Sequence, residues 1–166
     1  MNKNQCFMPS QDTALYCLEA RSGEPLWKIR TGGALTVLPT VTKKWVYQPV
    51  SYKSLLCIDR EDGAAIWELP KGRCFLAENG SESFAMTDNA ELTRMDNKRG
   101  RRLASIYVHH MNHFVQNDED AMIFMSSEQG HILALEPLEH APVETEPEEE
   151  PVPAEPIEDD DEDIDG

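Results

Sequence analysis

The chain repeats itself with a period of 40 residues: the segment LYCLEARSGEPLW at 15–27 returns as LLCIDREDGAAIW at 55–67. A fixed period of that size requires a stack of equivalent supersecondary units, because one unit of this length cannot bury its apolar face alone. The register extends further. Leu15, Leu55, Leu92 and Ile132 share one position, Leu18, Ile58, Met95 and Leu135 the next apolar one, and Glu19, Asp59, Asp96 and Glu136 the acid that follows. Gly23, Gly63 and Gly100 mark one turn in the first three copies, and Trp27 and Trp67 give way to Ala104 in the third. Phe7, Tyr47, Phe84 and Phe124 form an aromatic column upstream, with steps of 40, 37 and 40 residues.

Within a unit, short apolar or alternating runs are separated by turn residues: Gln5 to Met8, Ala14 to Leu18, Leu26 to Ile29 and Leu35 to Val41. Runs this short favour strands over helices. The acid-x-x-x-Gly spacing reads as a hairpin whose glycine supplies a positive φ. Four short strands per unit of about 40 residues describe a β-propeller blade.

At this point the sequence resembles a known family. The 15–27 segment, followed by TGG at 31–33 and LPTV at 38–41, is similar to the pyrroloquinoline-quinone-like (PQQ-like, quinoprotein-type) propeller repeat, and SEQGHILALE at 127–136 resembles the start of another copy. The resemblance runs from Gln5 to about Leu138 and is weakest in the third unit. It implies that Trp27 and Trp67 pack between neighbouring blades, so Ala104 implies a looser third joint.

The expected fold is all-β: three full four-stranded propeller units plus half a fourth, in a partial PQQ-like repeat domain over 1–138. Propellers close with typically four to eight blades, so the expectation is an incomplete ring with unsatisfied strand edges. An upstream part of a longer chain, a second copy, or a different protein partner would complete it; a truncated or split propeller is the preferred explanation.

Fourteen of the 31 acids lie in 139–166, which holds no lysine or arginine, leaving 17 acids against 15 bases in residues 1–138. That segment has five prolines and no aromatic residue. Such a composition cannot bury enough apolar surface to order itself, so a disordered acidic tail is expected, for solubility or for binding a basic partner. No secretory signal or membrane-spanning run is evident, and the chain as given reads as cytoplasmic. If N-terminal residues are missing, the resemblance implies a periplasmic or exported protein. Cys17 and Cys57 share one repeat position and read as small buried hydrophobes.

His109, His110 and His113 are the one local cluster with metal-ligand chemistry, although HHMNH matches no established ligand spacing on strands; exposed or packing loop histidines are expected. The basic run Lys98, Arg99, Arg101 and Arg102 falls at a hairpin turn with no aromatic platform beside it, so no nucleic-acid partner is expected. The acids that recur in every unit read as framework devices, and no catalytic, cofactor-binding or metal residue is assigned. The functional expectation is a non-catalytic protein-interaction scaffold, similar to propellers that serve bacterial envelope assembly, with no cofactor and no membrane partner. The alternative is a remnant of a PQQ-dependent dehydrogenase whose cofactor site lies on missing blades.

Overall fold

Residues 4–136 are described by a computed structural model, which contains fourteen β-strands in four antiparallel sheets. The acidic segment 139–166 lies outside the described residues. Sheet 1 is formed by β1 (Gln5–Pro9), β2 (Ala14–Glu19) and β3 (Pro25–Arg30). Sheet 2 contains β4 (Thr40–Val41), β5 (Trp45–Val50), β6 (Ser54–Asp59) and β7 (Ala65–Pro70). Sheet 3 contains β8 (Gly72–Asn79), β9 (Glu82–Thr87), β10 (Glu91–Asp96) and β11 (Arg101–Tyr107), and sheet 4 contains β12 (His113–Val115), β13 (Ile123–Ser126) and β14 (Ile132–Leu135). Within each sheet the strands pair in chain order, as a meander.

The fold is all-β and blade-like, as the repeat requires, but the blades are phased one strand away from the repeat. Among the described residues the strands divide three, four, four and three. The run Leu35 to Val41, expected as the fourth strand of the first unit, extends only at Thr40–Val41 and pairs with β5 of the next sheet. Its earlier part cannot extend: Gly32 has a φ of +73°, Pro39 has no N–H to donate, and Leu35 turns inward instead, buried between sheets 1 and 2. The first strand of a sheet is the inner one, since β8 contacts β5, β6 and β13, whereas β11 is exposed along its whole length. Sheet 1 therefore lacks an inner strand and sheet 4 an outer one among the described residues.

Three hydrophobic clusters hold the four sheets together, one at each joint. Leu15 and Leu35 meet Val46, Val50, Leu56 and Ile58 between sheets 1 and 2, with Phe7, Trp27 and Ile29 packed against them. Tyr47, Leu55, Cys57, Trp67 and Leu69 meet Phe75, Ala85 and Met95 between sheets 2 and 3. Leu76, Ala77, Phe84, Met86 and Leu92 meet Ile123 and Met125 between sheets 3 and 4. Strand alternation explains the pattern, because successive residues point to opposite faces.

The hairpin between the last two strands is built alike in the first three sheets. Gly23, Gly63 and Gly100 each donate their N–H to the carbonyl of the acid four residues earlier, at 2.8, 3.0 and 2.9 Å. All three have positive φ, and a β-bulge precedes each turn.

Candidate interaction surfaces

Superimposing the repeat register on the sheets separates two kinds of face. One face of each sheet is directed to the sheet that follows; it carries the aromatic column and the column of Leu15, Leu55, Leu92 and Ile132. The other face receives the preceding sheet; it carries Met8, Gln48, Ala85 and Met125 at one position and Leu18, Ile58, Met95 and Leu135 at another. Burial along each column shows where the stack ends. Leu15 and Leu55 are 0% exposed and Leu92 6%, but Ile132 is 81% exposed. Gln48, Ala85 and Met125 are at most 2% exposed, but Met8 is 50% exposed. The forward face of sheet 4 thus presents Val115, Phe124, Ile132 and Ala134 to solvent, and the receiving face of sheet 1 presents Cys6 and Met8 beside half-buried Tyr16 and Leu18.

At the internal joints the tryptophans lie where the family resemblance implies. The Trp27 ring covers Gly63 of sheet 2 so closely that a Cβ there would stand 2.7 Å from it, and Trp27 Nε1 donates to the Arg60 carbonyl at 3.1 Å. Gly100 of sheet 3 lies against the backbone of Ile66 and the Cβ of Trp67, and Trp67 Nε1 donates to Asn97 Oδ1 at 2.7 Å. Arg60 and Asn97 are equivalent positions, each directly after the repeated acid. Ala104 has no such contact to offer and lies on the exposed β11. Size is exchanged across that pair of strands: Cys17 and Cys57 sit opposite Trp27 and Trp67, whereas Ala104 sits opposite Arg94, whose guanidinium makes a fork of two 2.7 Å hydrogen bonds with Glu82.

The joint between sheets 2 and 3 contains a polar network that sequence reasoning missed. Buried Asn97 accepts from Trp67 Nε1 and from Ser83 Oγ at 2.9 Å, and donates through Nδ2 to the Tyr47 hydroxyl at 2.8 Å, which in turn donates to Glu78 at 3.0 Å. Burial, reinforced by the neighbouring Cys57 and Glu78, pushes the Tyr47 phenol well above its ordinary range. Burial, followed by the nearby Glu78 carboxylate, does the same to the Cys57 thiol. Tyr47 also stacks on Phe75, with ring centroids 4.1 Å apart. The repeat marks this position only in part: Arg60 and Asn97 directly follow their acids, whereas Ala20 and Pro137 take that place in the other two copies, and Asn97 is the one that can both accept and donate.

The repeated acids serve their own turns. Glu19 accepts from the backbone N–H groups of Arg21 and Ser22, Asp59 from Glu61, and Asp96 from Lys98 and Arg99. The hydrogen bonds from Ser22 hold the Glu19 carboxyl below its ordinary range. At Asp96 burial pushes upward, but the N–H groups of Arg99 and Lys98 outweigh it and the net shift is down. In the basic run, Arg102 lies 3.1 Å from Glu91 and Arg99 lies 3.9 Å from Asp96.

The candidate histidines lie at the connection from β11 to β12. His109 stacks on Tyr107, with ring centroids 5.3 Å apart, and shares with His113 the rim of a solvent-open depression of about 390 Å³ whose walls include Arg73, Asp88, Phe114 and Glu128. His110 lines a smaller neighbouring hollow with His109 and Glu128. Among the described residues no three His, Cys, Asp or Glu side chains come together in a way that could hold a metal ion. The depression does not fit pyrroloquinoline quinone with calcium either. A tricarboxylate needs several cationic partners and calcium needs six to eight oxygens; the lining offers one arginine and two imidazoles, with the carboxylates of Asp88 and Glu128 opposing a bound anion and falling short of a calcium shell.

With this geometry in view, the relationships of the chain are specific. A family model for the outer membrane protein assembly factor BamB, of the PQQ-like repeat type, matches residues 11–139. The chain belongs to this family. No curated protein sequence matches it. Among solved structures, BamB from Moraxella catarrhalis is 13% identical, with a TM-score of 0.61 over 80% of this chain and 42% of that one. The β-propeller domain of Cps50 (Swd1) from Myceliophteria thermophila is 11% identical, with a TM-score of 0.62 over 80% of this chain and 50% of that one. A quinohemoprotein alcohol dehydrogenase from Pseudomonas putida HK5 is 10% identical, with a TM-score of 0.57 over 80% and 31% respectively. This BamB-type chain therefore spans half or less of the length of these propellers, and its likeness to them is one of fold. No helix among its described residues is long and apolar enough to cross a membrane.

Proposed function

We propose that this chain is a non-catalytic scaffold that presents rigid PQQ-like blades to protein partners. The observation that carries the reading is the pair of uncovered apolar faces at the two ends of the stack, where columns buried at every internal joint meet solvent. Exposed apolar surface continuous with a packed core marks a protein-interaction site. Family membership supports the same reading, since the matched family is named for assembling other proteins. Three of the repeated acids, Glu19, Asp59 and Asp96, are occupied as turn acceptors, which argues for a framework role rather than catalysis. Arg99 and Arg102 are close to acids, which weakens the case for a nucleic-acid partner. The segment 139–166, with fourteen acids and no base, adds solubility or engages a basic partner. Four free thiols among the described residues support a reducing compartment.

The competing reading is a piece of a PQQ-dependent dehydrogenase, and calorimetric titration of the purified chain with the quinone separates the two. The scaffold predicts no saturable heat with or without calcium. Saturable micromolar binding that requires calcium would replace it with the dehydrogenase reading.

A further inference from the structure

We propose that the partner of the two end faces is a second copy of this chain, joined head to tail at both ends so that two copies close one ring of eight sheets. The inference rests on the scaffold reading and names its partner. Each internal joint pairs a forward face, carrying an aromatic residue and a leucine, with a receiving face that meets it through residues at the positions of Cys6, Met8 or Leu18. Phe7 and Leu15 do this toward Val46 and Ile58, Tyr47 and Leu55 toward Ala85 and Met95, and Phe84 and Leu92 toward Ile123 and Met125. Sheet 4 has an uncovered forward face, with Phe124 38% and Ile132 81% exposed, and sheet 1 has an uncovered receiving face, with Cys6 exposed and Met8 50% exposed. The complement of each face is therefore carried by the same chain at its other end.

Within one molecule the two faces do not cover each other, as the exposure of Ile132 and Met8 shows. Between two molecules they continue an interface that the fold already makes three times, so no new recognition chemistry is needed. The interface is heterologous, and a heterologous interface either closes into a ring or grows without limit. The four sheets of the described residues bring two copies to eight, within the range at which propellers close. The opposing term is the repulsion between two acidic segments, which salt screens. Pairing is therefore expected to tighten as ionic strength rises.

Light scattering on the full chain, in reductant so that Cys6 cannot crosslink, tests the proposal. The expected mass is twice the chain mass of 18.8 kDa at micromolar concentration and above. Two single variants, Met8→Asp and Ile132→Asp, place a charge on opposite faces; both sites are exposed, so folding is retained and circular dichroism verifies it. Each variant alone is expected to run as a monomer, with its dissociation constant raised about tenfold or more. Mixed in equal amounts they are expected to recover the double mass, because the mixed pair keeps one joint with no charge in it. A wild-type monomer at all concentrations, growth beyond two copies, or Met8→Asp pairing as tightly as wild type would each overturn the proposal. None of those outcomes bears on quinone binding, so the scaffold reading stands or falls separately.

Discussion

Replacing Asn97 by alanine is expected to damage the joint between sheets 2 and 3 more than its size suggests. The substitution removes the acceptor of Trp67 Nε1 and of Ser83 Oγ, and a donor to the Tyr47 hydroxyl, in a site where Asn97 is 1% exposed and Ser83 0%. Tyr47 keeps Glu78 as the acceptor of its O–H, and the Cys57 thiol, 3.9 Å from Asn97 Oδ1, is a weak donor, so two strong donors are orphaned. At about 1–3 kcal/mol for each unsatisfied buried group, the expected loss is roughly 2–6 kcal/mol. That is a large share of the roughly 5–15 kcal/mol that holds a domain folded. Urea unfolding followed by tryptophan fluorescence measures it, since Trp67 reports from inside the joint. Trp67→Phe removes one of the orphaned donors beforehand, so in that background Asn97→Ala is expected to cost about 1 kcal/mol or more less than in the wild type. Additive losses in the two backgrounds, or a loss below about 0.5 kcal/mol in the wild type, would refute the network as a structural element.

Three further expectations follow from the turns and the thiols. Gly63→Ala should destabilise by about 1–3 kcal/mol more than Gly23→Ala; both glycines have positive φ, but only Gly63 lies under the Trp27 ring, and equal losses in thermal unfolding would remove that ring from the account. Burial pushes the Cys17 and Cys74 thiols up to about 11 and Cys57 higher still, so in a thiol-disulfide reagent near pH 8 exposed Cys6 should react first and the other three only on unfolding. Two fast-reacting thiols in the native chain would contradict this. Glu19 and Asp96 have carboxyls held below their ordinary values of 4.5 and 3.8, so the folded state binds fewer protons there than the unfolded one. Their contribution to stability is present above those values and is lost as pH falls through the lowered ones. Amide protection in the two turns, taken relative to the intrinsic exchange rate at each pH, should fall below about pH 4 and stay flat from 5 to 8; loss of turn protection above pH 5 would contradict it.

Much of this fold was legible because period and alternation act together. Forty residues of displacement fixed which positions are equivalent, and the two-residue period of a strand fixed which of them share a face. Burial at Leu15, Leu55 and Leu92 therefore follows from the sequence. What the sequence did not show is which sheet a strand joins. Thr40 and Val41 follow β3 in the chain, but their hydrogen bonds go to β5, and nothing in a run of nine connecting residues marks that crossing. Bulges add a second obstacle: the shift between Cys17 and Leu18, repeated at Cys57 and Ile58, changes register within a strand whose pattern reads as continuous. Asn97 was hidden for a different reason. An asparagine beside an acid and before a glycine reads as a surface turn residue, and only the neighbouring sheet, through Trp67 and Tyr47, makes it a buried one.

Met8 and Met125 occupy equivalent positions on the receiving faces of sheets 1 and 4, one 50% exposed and the other 2%. Peroxide oxidation mapped by mass spectrometry, on the single-mass and double-mass fractions of the chain, tests most directly whether the end faces are halves of one repeated joint. The account predicts that Met8 oxidises in the single-mass fraction and is protected in the double-mass fraction, while Met125 is protected in both. Equal oxidation of Met8 in the two fractions, or oxidation of Met125 as fast as Met8, would contradict it.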